Sequence, residues 1–331
     1  MPRAGTGMTG APAPRILCAG MAVLDEVFRV ERVPAANTKT RAGAFASVVG
    51  GCAANAAVAI ARLGGAAELA AVLGEAGHDE VGDRILSRLA REGVRCSGMV
   101  RVAKASSTIS AILVDAAGDR MIATHCDERL FAAAVEDPRA LVASVDAVLA
   151  DNWLPDLVVP ICAAARERGR PVIIDGDGPM GETDALVGLA THIVFSADAL
   201  RATSGRDDLG AALAHMSGHA RGFLAVTNGA DDILWWDDGA PQRLPVFAVE
   251  AVDTLAAGDV FHGAFALALA EGRRGTDALR FAAAAAALKC TRFGGGSAAP
   301  TRAEVEALLA TARSARSVRG AGSSTRFFTR G

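Results

Sequence analysis

The stretch DTLAAGDVFHGAFALALAEG, residues 253–272, sets a carboxylate, Asp259, where a small-residue turn runs into a long apolar helical pattern. A turn of Ala256, Ala257 and Gly258 entering a helix aims unpaired backbone N–H groups at one spot. The helix adds roughly half a positive charge there. This combination suits an anion, and small side chains let a ligand approach the backbone. Asp259 could take a proton beside that anion, or could merely cap the helix and complement its dipole. Its surroundings favour the first role. Asp253 and Thr254 lie just upstream, and a second turn, GGCAANAAVAIARLGG at 50–65, opens another helix with Gly50, Gly51 and Asn55, where a polar ligand could be held.

These groups need elements to position them. RILCAGMAVLDEVFRV (15–30) reads as a buried strand delivering Asp25 to its carboxyl end, where open α/β sheets bind ligands. AELAAVLGEAG, VDAVLAD, RPVIIDGDGP, HIVFSA and GFLAVTNGA are further short apolar runs, and helical patterns such as DEVGDRILSRLAREG and VVPICAAARERG lie between them. The alternation predicts an α/β fold whose mostly parallel sheet is covered on both faces. Residues from about 28–49 and 98–125 break the rhythm with β-branched alternation and a hairpin-like DAAGDR turn. They predict a small antiparallel sheet apart from the main one, either a lid over a cleft or an extension of the sheet. The expected boundaries are a flexible N-terminus at 1–14, one domain at 15–311 and a flexible basic tail at 312–331.

Composition removes several classes. With 331 residues, a net charge of −3 and 51% apolar residues, the chain has no positive field to draw nucleic acid or anionic lipid. Six cysteines without a CxxC pair argue against zinc and against a disulfide framework. No apolar run reaches the roughly 18 residues of a membrane span, and the start lacks the apolar centre of a secretion signal. A cytoplasmic protein with reduced thiols, without nucleic-acid or membrane partners, is expected. A dinucleotide-dependent oxidoreductase would want GxGxxG after the first strand, which is missing, as is a GxxxxGK[ST] loop.

Taken together, the 50–65 and 253–272 motifs resemble the two signatures of the ribokinase-like (PfkB) carbohydrate kinases, in the family's order and separation. The Asp25 strand, the lid-like stretches, VTNGA and AALKCTRFGG extend the resemblance over about 15–310. It implies a three-layer α/β/α sandwich with a mostly parallel central sheet and a small β-sheet lid. It also implies that Asp259 is the general base for a sugar hydroxyl attacking the γ-phosphate of ATP. The backbone of Ala256, Ala257, Gly258 and Asp259 would form the anion hole. Asp25, Gly50, Gly51 and Asn55 would bind sugar hydroxyls. Thr227 and Gly229, with Thr254 and Gly294, would serve the nucleotide, and residues 286–296 would line the adenine pocket. The implied cofactors are ATP and Mg2+, with K+ near Asp253 and Leu255. Two positions depart from the family pattern. Asp232 replaces a glycine of the nucleotide turn, and Ser196 and Ala199 stand where many relatives carry an Asn-x-x-Glu pair, so no protein ligand for Mg2+ is named.

ASSTISAILVDAAGDRMI, VLADNW and AALKCTR resemble the branch containing ketohexokinase and sulfofructose kinase, implying a fructose-like or modified-fructose ketose. Lys39 matches a lysine that serves the sulfonate in the latter, or is a solvated surface charge. The arginine those enzymes carry after the LAD stretch is replaced by Asn152-Trp153, which speaks against a sulfosugar. A nucleoside kinase would want lid aromatics, of which Phe28 and Phe45 are the candidates. A catalytically silent sugar- or nucleotide-binding regulator is the other rival. The expected partners are a sugar, ATP and a second copy paired through the lid as a homodimer. His262, Trp235 and Trp236 read as packing residues, and Asp175 and Asp177 as supporting groups at a strand end.

Overall fold

The computed structural model describes residues 12–115 and 120–321. Its main sheet has eight strands: β1 (Arg15–Ala19), β4 (Ala66–Ala70), β9 (Ala147–Asp151), β10 (Val172–Gly176), β11 (His192–Ser196), β12 (Phe223–Thr227), β13 (Ile233–Asp237) and β14 (Ala240–Leu244). They run in the order β14-β13-β12-β11-β10-β9-β1-β4. The six from β12 to β4 are parallel, and the β13–β14 hairpin adds an antiparallel edge. Because β4 lies on one side of β1 and β9 on the other, strand order reverses at β1. Such a reversal leaves a crevice at the strands' carboxyl ends.

Strand alternation builds the two layers. Ile16, Cys18, Leu149, Ile173 and Val194 face α1 (Cys52–Arg62), α2 (Glu80–Arg91), α8 (Ala257–Ala270), α9 (Thr276–Cys290) and α10 (Arg302–Ala321). Their neighbours Leu17, Ala19, Val148, Ile174 and Phe195 face α4 (Pro155–Glu167), α5 (Ala185–Leu189), α6 (Ala197–Ser204) and α7 (Leu209–Met216). The short α3 (Pro138–Leu141) precedes β9. The alanines of α1, α8 and α9 let backbones pack closely: a Cβ on Gly263 of α8 would lie 2.6 Å from Ala56 O of α1.

The second sheet corrects the sequence reading in three ways. It comprises β2 (Val23–Arg29), β3 (Ala44–Gly50), β7 (Ile109–Val114) and β8 (Arg120–His125), ordered β3-β2-β7-β8. It is mixed, because β2 pairs in parallel with β7; alternation along a strand does not encode its partner's direction. Asp25 sits within β2 and so belongs to the lid, since the apolar run of 15–30 is broken at Gly20 (φ 144) into two strands. Residues 100–101 form β6 (Val100–Arg101), which pairs with β5 (Val72–Leu73) outside the lid. Of the DAAGDR turn, 116–119 lie outside the described residues.

At the C-terminus, α10 runs to Ala321, beyond the boundary expected at 311. Alanine and arginine are strong helix formers, and no glycine interrupts them before Gly320. Residues 1–11 and 322–331, the rest of both expected tails, lie outside the described residues.

Candidate active site

The N-terminus of α8 lies beneath the lid. Ala256 takes the left-handed conformation (φ 63), which turns the chain sharply into the helix and costs a non-glycine residue roughly 1 kcal/mol or more. Ala257 N donates to Thr254 O (3.2 Å), and Ala256 O accepts from Val260 N (3.0 Å). This narrows the expected anion hole, because Ala257 already spends its donor. The N–H groups of Ala256, Gly258 and Asp259 have no acceptor among the described residues. The inner lid face, Val27, Val48, Ile112 and Val114, packs on Leu255 and Phe293, so lid and turn share one apolar contact.

Asn55 of α1 joins the two motifs across 204 residues: its Nδ2 donates to Asp259 Oδ2 at 2.7 Å. Burial first, and then the charge of Asp175, push the Asp259 carboxyl up to about 7, while the Asn55 bond opposes them. Gly296 closes on Asn55 so tightly that a Cβ there would overlap its amide. Asp25 is also buried, which raises its carboxyl to about 6 against a bond from Ser110. A Cβ on Gly50 would overlap the Asp25 carboxylate. At Gly51 (φ 88) the chain enters α1, where any Cβ would meet Met21 O at 2.6 Å. Asp25, Gly50, Gly51, Asn55 and Asp259 thus form a connected set.

Two residues given little or no weight in the sequence complete this set. Asp151 at the end of β9 accepts from Met21 N (2.7 Å), Ala53 N (3.3 Å) and Trp153 N (3.2 Å), tying β1, α1 and β9. Burial still lifts it to about 6. An acid ending an apolar strand was its only sequence signal. His262 is a buried bridge as well as a packing residue: Nδ1 lies 2.8 Å from Gly258 O and 3.3 Å from Asp175 Oδ2, and Nε2 lies 3.0 Å from Val194 O. Burial lowers its basicity and Asp259 raises it. Asp175 is itself raised, by burial and then by Asp177.

The nucleotide candidates lie along the same strand ends. Thr227 ends β12 and donates to Phe195 O (3.4 Å), and Gly229 turns with φ 58. Gly294 (φ 123) donates to Asp253 Oδ2 at 3.0 Å. Asp253 Oδ1 accepts from Leu255 N at 2.8 Å. Ser196 caps α6, accepting from Ala199 N at 3.3 Å. Lys39 is exposed in the loop joining β2 and β3. Asn152 clamps the backbone of Gly178 through both its amide atoms, a structural use for the position of the missing arginine. Phe28 and Phe45 pair with centroids 5.0 Å apart; strand alternation puts Phe28 on the lid face opposite Asp25.

Among the described residues, two groups offer three metal-type donors each. In one, Cys52, Asp175 and Asp259 lie within 4.8 Å of one another, but burial keeps the Cys52 thiol protonated. In the other, Glu182 binds His215, which in turn stands 3.2 Å from Arg206, so its hydrogen-bond chain is complete without a metal.

A family description, pfkB family carbohydrate kinase, matches residues 13–302. The chain belongs to the pfkB carbohydrate kinases. It is 30% identical over 292 residues to the ribokinase of Bacillus subtilis, covering 88% of this chain and 97% of the relative. A solved Agrobacterium tumefaciens chain described as a candidate ribokinase is 39% identical, with TM-score 0.86 over 91% of this kinase and 99% of the other. The Arabidopsis thaliana ribokinase complexed with ribose and ATP is 25% identical, with TM-score 0.76 over 90% and 99%. This kinase is therefore an ATP-dependent phosphotransferase with an alcohol group as acceptor, on the ribokinase-like α/β fold. Family membership also removes the oxidoreductase alternative. No helix among the described residues is long and apolar enough to cross a membrane.

Proposed function

We propose that this kinase transfers the γ-phosphate of ATP to a hydroxyl of a ketose, with Asp259 as general base. The α8 N-terminus would act as the hole for the transferring phosphoryl group. The observation carrying this proposal is the 2.7 Å bond between Asn55 and Asp259, which joins the two motifs and so supports reading them as one site. A base with its carboxyl near 7 is matched to proton abstraction near neutral pH. The uncommitted N–H groups of Gly258 and Asp259 support this reading, since they are free to meet the charge that grows during transfer. Asp25 and Asn55 hold sugar hydroxyls, Gly50 and Gly51 let the sugar approach the backbone, and the lid shuts water out. Thr227, Gly229, Thr254 and Gly294 serve the nucleotide.

Mg2+ fits as a hydrated ion carried in on the ATP phosphates. The exposed Asp177 and buried Asp175 supply oxygen donors that suit it through water. When bound, it neutralises phosphate charge. The exposed strand β8 leaves a lid edge that a second copy covers in a homodimer. Ribose is the second acceptor reading, favoured by the names of the relatives. A nucleoside is disfavoured because Phe28 lies on the lid face away from Asp25. The test follows ADP release from Mg-ATP with fructose, other ketoses, ribose and nucleosides. Ketose-stimulated release that disappears in Asp259→Asn, with ATP binding kept, is expected. ATP binding without stimulation by any acceptor would favour the silent regulator.

A further inference from the structure

Lys289 has 0% exposure, and no other lysine or arginine among the described residues is buried. It lies near the end of α9 in the run FAAAAAALKC, where nothing in the apolar helix pattern calls for a charge. Burial pushes its ammonium below the ordinary lysine range, and Asp253 opposes that. Lys289 Nζ donates to Asp253 O at 2.8 Å and lies 3.3 Å from Asp253 Oδ2.

Asp253 is the knot of the local structure. Its carboxylate accepts from Leu255 N and Gly294 N, and the N–H groups of Val252 and Asp253 both donate to Cys290 O. One residue therefore fastens the end of α9, the Gly294 turn and the segment that carries Ala256 into α8. All its other donors are neutral amides, so the ammonium is the one cation holding the knot among the described residues. A bound K+ ion would seek carboxylate and carbonyl oxygens, and the ammonium already occupies one of each on Asp253. We propose that Lys289 is a built-in monovalent cation that positions the anion-hole turn, so that turnover needs no free K+. Lys289 acts through Asp253 as a positioning residue, and the proposal rests on the phosphoryl-transfer role given to that turn.

The test assays the intact chain with Mg-ATP and its sugar in choline, sodium, potassium and ammonium chloride at one ionic strength. The expected kcat varies by less than about twofold among them. Lys289→Ala is expected to lose about tenfold or more in kcat with little change in the sugar KM, and K+ or NH4+, but not choline, restores a large part. A purely structural lysine would not make the variant selectively responsive to small cations. If Lys289→Ala does not fold, the salt series on the unaltered chain decides, with Lys289→Met as the second variant. Activation of the unaltered chain by K+ of more than about fivefold, or a Lys289→Met kinase of full activity, overturns the proposal alone. No ADP release with any sugar in any salt overturns it together with the proposed function.

Discussion

Asp259→Asn is expected to make the protein more stable at pH 8 while stopping turnover. The folded carboxyl titrates at about 7 against an ordinary value of 3.8, so the folded state holds its proton more tightly than the unfolded chain. Between those two values the folded state is the one that keeps the proton, so stability falls as pH rises, and above pH 7 the full penalty remains. A gap of about 3 units corresponds to at most about 4 kcal/mol. Asparagine carries no charge, and its carbonyl can still accept from Asn55 Nδ2. At pH 8 the variant gains up to that amount, roughly 6–8 °C in melting temperature for a chain of this length. At pH 5 only about 1.5 kcal/mol of the penalty has developed, so the gain shrinks, and below pH 4 it vanishes. Scanning calorimetry of both proteins at pH 8, 5 and 3.8 measures this, with ADP release on the same samples falling by a factor of about 10² to 10⁴. An equal gain at every pH, or a loss at pH 8, would refute the account of a half-buried, desolvated base.

The acid limb of kcat/KM in the unaltered kinase is expected near pH 7, falling about tenfold per unit below it, because only ionised Asp259 accepts a proton; a pH–rate profile checks this. Asn55→Ala removes the one bond that favours the ionised base and is expected to move that limb upward. Gly50→Ala drives a methyl into Asp25 and is expected to raise the sugar KM about tenfold or more while leaving the ATP KM close to unchanged, read from initial rates. Asp151→Ala strips three backbone donors of their shared acceptor and is expected to destabilise the fold by about 2–4 kcal/mol in urea titration.

Much of the site could be read from sequence because its functional groups sit at element junctions. Gly50-Gly51 and Ala256-Ala257-Gly258 stand out as small-residue turns before apolar helices, a local signal that survives without tertiary information. Strand alternation likewise told which helices cover the sheet only once register was known. Asp25 reads as the end of the first strand because Gly20 and Ala22 interrupt an apolar run too briefly to announce the break between β1 and β2. The parallel β2–β7 pair, the Asp151 knot and the Asn55–Asp259 bond join residues about 80 to 200 positions apart, and no local pattern encodes a partner at that range. Lys289 was hidden for the opposite reason: a single charge ending an alanine-rich helix looks like a solvated C-terminal cation that complements the dipole. Only burial reveals it as internal.

The most direct measurement of the central claim is a crystal structure of this kinase with its sugar, ADP and a planar phosphoryl mimic. The account predicts the accepting sugar hydroxyl about 2.6–3.2 Å from an Asp259 carboxylate oxygen, and the mimic's oxygens about 2.7–3.1 Å from the N–H groups of Gly258 and Asp259. A mimic seated on other donors, with the α8 N-terminus turned away from the nucleotide, would contradict it.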